Sequence, residues 1–323
     1  MSYYRDMPPV LRDFLAYHET VKAHSSNTVD EYYLDLRNFF RYLKRARGLT
    51  PDEEPFDEIL IFDVDIDFIR SITLSEIYDY LLYLSRERNL NAASRARKVS
   101  SIRSFYKYLT NKAKLLTENP VLDLDAPRLQ KTLPRYLTLD ESLQLLQSVD
   151  GANRERDYCI LMLFLNCGLR ISELVGLNVG DIRDNTIRVL GKGGKERILY
   201  LNEGCKQAID NYLTVRSMGP TDREPALFLS RQRKRLSRSG VHNIVKKRLL
   251  EAGLDAGKYS AHKLRHTAAT LMLQNGVDVR TLQEVLGHDH LNTTQIYTHI
   301  DSSELRLAAQ ANPLGKARQK KKP

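Results

Sequence analysis

The chain has 323 residues, enough for two domains of ordinary size, and 42% of them are hydrophobic, which argues against wholesale disorder. Fifty Lys and Arg against 40 Asp and Glu leave a net charge of +10, which suits a polyanionic partner. The longest apolar run, around Ile160 to Leu165, is too short to cross a bilayer, and the N-terminus does not read as a signal peptide. The three cysteines, Cys159, Cys167 and Cys205, form neither a CxxC pair nor an even disulfide set, so reduced thiols and a cytoplasmic location are expected, with no membrane association.

In chain order, SSNTVDEYYLDLRNFFRYLKRAR places Val29, Tyr32, Tyr33, Leu36, Phe39, Phe40 and Leu43 on one 3.6-residue stripe, a core helix with Ser26, Asn27 or Thr28 able to cap it. An acidic segment broken by Pro51 and Pro55 follows. Asp63, Asp65 and Asp67 alternate there with apolar residues, but a calcium loop starting at Asp63 would need Gly and Glu where Phe68 and Leu74 stand. A solvated loop with a short extended edge is the expectation. Two more helices are predicted from LSEIYDYLLYLSRE and AASRARKVSSIRSFYKYLTNK. The second carries Arg95, Arg97, Lys98 and Arg103 beside an apolar stripe, and is a candidate DNA-contacting helix. Pro120, Pro127 and Pro134 then mark an interdomain linker over residues 116–134.

Beyond the linker, LDESLQLLQSV and ERDYCILMLFLNCGLRISELVGL read as helices, with Gly168 placed to end one in the left-handed conformation. TIRVLGKGGKERILYL is two alternating runs around a Gly-rich turn, a β-hairpin. The remainder returns to helix. Eight basic residues and no acidic one lie between Arg231 and Arg248, and Arg235 and Arg238 from this run are further candidate DNA contacts.

Candidate chemistry narrows by elimination. His262 and His266 have the i, i+4 spacing of a zinc site, but Lys263 stands where HExxH needs its Glu. No G-x-S-x-G is present, and GKGGK lacks the complete phosphate-loop pattern. What remains is Arg170, Lys192, His262, Arg265, His288 and Tyr297. Two guanidiniums can clamp a phosphodiester, a tyrosine oxygen can attack phosphorus, and a lysine with imidazoles can move the protons.

GLRISELVGL, GKGGKER, HKLRHTAATLML, LGH and TTQIYTH occur in the order and spacing of the tyrosine recombinases, the phage-integrase-like enzymes. The chain most resembles their bacterial Xer-type members, throughout its C-terminal half and more loosely in its N-terminal helices. The resemblance implies a mainly α fold with a small β-hairpin or sheet: an N-terminal helical core-binding (SAM-like) domain over residues 1–115, carrying the acidic insertion at about 49–68. A mixed α/β catalytic domain over residues 135–312 and a basic tail at 313–323 complete it, the two domains forming a C-shaped clamp on duplex DNA.

Carried over residue by residue, the resemblance implies that Tyr297 forms a 3′-phosphotyrosyl bond, and that Arg170, Arg265 and His288 hold the scissile phosphate. Lys192, preferred over Lys195, is the implied general acid, and His262 assists proton transfer. No metal, nucleotide or other cofactor is implied. The partners implied are double-stranded DNA carrying a specific core site and three further protomers, either a homotetramer or a heterotetramer with a paralogous recombinase. In the family a C-terminal segment docks on the neighbouring protomer, and DSSELRLAAQANPL is the candidate here. Xer-like chromosome or plasmid dimer resolution, or mobile-element exchange, is the expected role. A phage- or transposon-type integrase, a type IB topoisomerase-like enzyme and an inactive DNA-binding regulator are the alternatives.

Overall fold

The computed structural model describes residues 7–127, 135–191, 194–216, 224–287 and 302–319. The chain divides into two compact units, Met1–Thr132 and Leu133–Pro323, each with its own apolar core.

The first unit is helical: α1 (Pro9–Ala16), α2 (Ser26–Ala46), α3 (Ile66–Arg70), α4 (Leu74–Arg86) and α5 (Ala92–Asn111). The expected stripe on α2 is buried through Val29, Tyr33, Leu36, Phe39, Phe40 and Leu43. Helix α4 starts at a capping box in which Thr73 and Glu76 exchange side-chain and backbone hydrogen bonds. Asn91 caps α5 by accepting from the Ser94 amide at 2.9 Å.

The acidic segment differs from the solvated loop expected of it. Ile59, Ile61 and Val64 are buried, the Lys44 ammonium donates to both Asp63 oxygens at 2.7 and 2.8 Å, and the Arg41 Nε donates to the Ile59 carbonyl at 2.8 Å. No strand forms there; turns hold it, and Asp65 caps α3 by accepting from the Phe68 amide at 2.8 Å. The linker also begins later than expected, because Leu116, Val121 and Leu124 are buried in the first core.

In the second unit, α6 (Leu139–Gln147) precedes α7 (Arg154–Cys167), α8 (Ile171–Gly176) and an antiparallel sheet of β1 (Ile182–Arg183), β2 (Thr186–Leu190) and β3 (Glu196–Tyr200). The expected hairpin is β2–β3, in register from Thr186↔Tyr200 to Leu190↔Glu196, and short β1 adds an edge. Then come α9 (Glu203–Arg216), α10 (Arg238–Glu251), α11 (Ala261–Gln274), α12 (Val279–Leu286) and α13 (Ser302–Ala311). Helix α7 is buried all round from Asp157 to Cys167, because α9 and α11 pack against it.

The C-terminal segment packs on its own unit. Ala308 and Leu314 are buried, α13 lies against β3 and α12, and the Asn312 amide donates to the Leu165 carbonyl at 2.9 Å. Residues 313–316 form a turn whose Leu314 and Gly315 are buried, while Lys316 is exposed. No helix among the described residues is long and apolar enough to cross a membrane.

Candidate active site

Helix α7 ends at Gly168, whose φ of +58° suits glycine, and a Cβ there would meet Leu286 Cδ2 at 2.6 Å. This tight stop lets the chain reverse and present Arg170 at the head of α8. The Arg170 amide donates to Glu173 Oε2 at 2.8 Å and its Nη1 to Glu173 Oε1 at 2.9 Å, so one carboxylate fixes both ends of the residue.

Glu173 is nearly fully buried and gathers two more guanidiniums. Arg197, projecting from β3, donates Nη1 to Oε1 and Nη2 to Oε2, each at 2.9 Å, a bidentate fork. Arg265 on α11 approaches to 3.9 Å. Burial opposes ionisation of Glu173, but the hydrogen bonds and charge of Arg197, with those of Arg170, hold its carboxyl below the usual range.

The same three arginines close around the C-terminal end of α12. Arg197 Nε donates to the Val285 carbonyl at 3.1 Å, and Arg265 Nη2 to the Leu286 carbonyl at 2.6 Å. Arg170 Nη2 donates to the Gly287 carbonyl at 2.9 Å. These are the orphan carbonyls at the negative end of a helix dipole, a natural place for cations. Gly287, which ends α12, has a φ of +64°, the left-handed region that suits glycine. Arg265 also donates Nη1 to the Gly168 carbonyl at 2.5 Å. Burial, reinforced by the charge of Arg170, pushes its pKa down to about 10 despite Glu173, so it stays protonated at neutral pH. Three guanidiniums against one carboxylate leave this cluster with an excess of positive charge, and Arg170 keeps 37% of its side chain exposed.

His262 stands one turn before Arg265 on α11 and is exposed, with its Nε2 3.1 Å from the Nε2 of His266. Burial, then the charges of Arg265, Lys263 and Arg170, lower its pKa, which keeps it neutral at pH 7 and able to accept a proton.

Of the six residues proposed from sequence, the fold brings Arg170, His262 and Arg265 into one neighbourhood; Lys192, His288 and Tyr297 lie outside the described residues. The hairpin that carries Lys192 is tied to α8 and α12 by Arg197. Sequence reasoning missed Glu173 and Arg197. The i, i+3 spacing of Arg170 and Glu173 signals the first, whereas nothing local marks Arg197, whose partners are 24 and 88 residues away.

Four of the six proposed DNA contacts make hydrogen bonds or ion pairs within the fold. Lys98 is buried and its ammonium donates to Asp35 at 2.8 Å, so it does not face solvent. Arg97 pairs with Asp35 at 2.7 Å and with Glu31. Arg235 donates to the Val175 and Leu177 carbonyls and to Asn178 Oδ1, holding the loop before α10 in place. Arg95 also turns inward, to Ser85 and the Leu90 carbonyl. Arg103 and Arg238 are exposed.

Residues 135–304 match the Phage integrase family, and residues 60–113 match the phage integrase N-terminal SAM-like domain. The chain is 54% identical over 308 residues to a tyrosine recombinase XerC from Caldanaerobacter subterraneus subsp. tengcongensis, covering 95% of this chain and 87% of that protein. The chain belongs to the phage integrase family. Within it this is a tyrosine recombinase of the Xer type, a site-specific recombinase that breaks and rejoins DNA strands. It is also 32% identical over 302 residues to a tyrosine recombinase XerD from Oceanobacillus iheyensis, covering 92% of this chain and 95% of that protein. In fold, this recombinase is similar to XerH bound to palindromic difH substrate in a post-cleavage complex. The TM-score is 0.63 at 23% identity, covering 93% of this chain and 84% of that one.

Proposed function

We propose that this recombinase cleaves DNA with Tyr297 as nucleophile. The tyrosine oxygen attacks the scissile phosphorus, a 3′-phosphotyrosyl bond forms, and the P–O5′ bond breaks. Lys192 gives a proton to the departing 5′-hydroxyl, and His262 takes the tyrosine's proton. Arg170, Arg265 and His288 hold the non-bridging oxygens. Attack by a second strand's 5′-hydroxyl reverses these steps and restores a phosphodiester, so no external energy source is needed.

One observation carries this reading: Arg170 and Arg265 meet on Glu173 and on the last carbonyls of α12, from which the chain runs on to His288 and Tyr297. Main-chain carbonyls accept from both guanidiniums here, and phosphate oxygens would take their place in the complex. We further propose that the protein acts as a tetramer on a specific core site, alone or with a paralogue, in Xer-like dimer resolution or element exchange.

A nicked suicide duplex carrying the cognate site tests the chemistry. Wild-type protein should become covalently attached to the 3′ end, and Tyr297→Phe should lose the adduct while still binding the duplex. A Tyr297→Phe protein that forms the adduct at the wild-type rate would overturn the assignment.

A further inference from the structure

Gly191 and Gly287 are distant in sequence, yet one guanidinium packs beside both. A Cβ on Gly287 would lie 3.1 Å from Arg197 Nη1 and 3.2 Å from its Cζ, and a Cβ on Gly191 would lie 3.7 Å from the same Nη1. Gly191 directly precedes Lys192, and Gly287 directly precedes His288. Arg197 therefore touches the main chain at the residue before each of two candidate catalytic groups.

Its own position is firmly set. Alternation along β3 turns Arg197 and Leu199 inward and leaves Ile198 59% exposed. All three side-chain nitrogens of Arg197 donate to protein acceptors, Nη1 and Nη2 to the Glu173 carboxylate and Nε to the Val285 carbonyl. The β2–β3 turn is closed at its base by the Gly191 amide, which donates to the Lys195 carbonyl at 2.7 Å. Arg170 shares Glu173 with Arg197, so the turn cannot slide past Arg170 without breaking the bidentate fork.

We propose that Arg197 is a positioning residue that sets the distance between the proton donor on the β2–β3 turn and the phosphate clamp of Arg170 and Arg265 at the end of α12. The assignment rests on the reading of Lys192 as that donor. A general acid acts only within hydrogen-bond reach of the departing oxygen, and a displacement of about 1 Å costs about 10²-fold in rate. With its nitrogens turned to protein acceptors, Arg197 acts through the turn and not on the DNA.

The test compares two duplexes of the cognate site, one ordinary and one with sulfur in place of the 5′-bridging oxygen at the scissile phosphate. With sulfur, the P–S bond breaks and the 5′ end leaves as a thiolate. It needs no proton, because a thiol's pKa of about 8.5 is far below that of an alcohol. Adduct formation is measured in single turnover at saturating full-length protein, for wild type, Arg197→Met, Arg197→Lys and Lys192→Ala. Arg197→Met should be about 10²-fold slower on the oxygen duplex and within about threefold of wild type on the sulfur duplex. Arg197→Lys keeps a charge beside Glu173, and hence the fold, but has one nitrogen and loses the fork; it should show the same selective loss at about tenfold. Equal slowing on both duplexes would reduce Arg197 to a structural tie and overturn the proposal, as would wild-type rates for both Arg197 variants on the oxygen duplex. Lys192→Ala separates this from the reading beneath it. Sulfur rescue of the Arg197 variants but not of Lys192→Ala would keep the role of Arg197 and move the donor to another group of the turn. Rescue of Lys192→Ala alone would keep Lys192 as the acid and overturn the role of Arg197.

Discussion

The two units each gather several cations on one buried carboxylate, and they use the arrangement differently. Asp35 accepts from Arg97, Lys98 and Ser101, with Glu31 drawing on Arg97 as well, so two cations face two carboxylates and the local charge cancels. Glu173 faces three guanidiniums, and their remaining donors reach main-chain carbonyls that carry only partial charge. The first cluster joins α2 to α5. The second joins α8, β3, α11 and α12 and keeps a surplus of positive charge beside an exposed arginine. A run of basic residues on a helix therefore says little about DNA contact until its acidic partners are known.

The sharpest way to break this comparison is to remove one cation from each cluster. Arg170→Ala should lower the rate of covalent adduct formation by about 10²–10³, the usual effect of losing one donor to a transition-state oxyanion. Lys98→Met, which keeps the buried volume, should stay within about threefold of wild type in the same single-turnover assay. Equal losses in both would show that the Asp35 cluster also serves the chemistry.

Neutralising each carboxylate comes next. Glu173→Gln strands two nearly buried arginines and should destabilise the second unit by about 3–5 kcal/mol in denaturant unfolding. Asp35→Asn should cost less, about 2–3 kcal/mol in the first unit, because the half-exposed Arg97 can turn to water. Indistinguishable unfolding curves for Glu173→Gln and wild type would remove its assigned role.

The smallest effect is in the pH dependence. His18 of the first unit is buried against Phe14, Tyr17 and Tyr32, with its Nδ1 3.2 Å from that of His24. Burial, then His24 and Lys22, push its pKa down to about 4. The unfolded chain takes up this proton near 6.5 and the folded one only near 4. The contribution is thus complete above about 6.5 and lost as pH falls toward 4, on the order of 2 kcal/mol. His18→Gln should flatten the pH dependence of first-unit stability over that window. An unchanged slope would mean that other groups set it.

How far the fold was legible follows from the range of the interactions involved. The α2 stripe, the β2–β3 hairpin and the Gly168 stop rest on neighbours a few residues apart, and each stands where the pattern put it. The acidic segment was misjudged because its apolar residues are masked by charge: Ile59, Ile61 and Val64 find the core only once Lys44 and Arg41 hold the turns beside them. Leu116, Val121 and Leu124 were lost among prolines for a similar reason. The ion pairs of the basic helix were not legible because Asp35, which pairs with Arg97 and Lys98, lies more than 60 residues earlier.

The sequence by itself determined the family, through motifs whose order and spacing are read along the chain, and with it the chemistry proposed for the candidate residues. It also determined most helices, because their periodicity and caps are local. Tertiary structure alone decided which cations are committed to the fold. It paired Lys98 with Asp35 and turned Arg235 into a loop brace. It also made Glu173 and Arg197 the frame for Arg170 and Arg265. The physical reason is that a charge is satisfied by whatever lies within about 4 Å of it, and packing, not sequence distance, sets that neighbourhood.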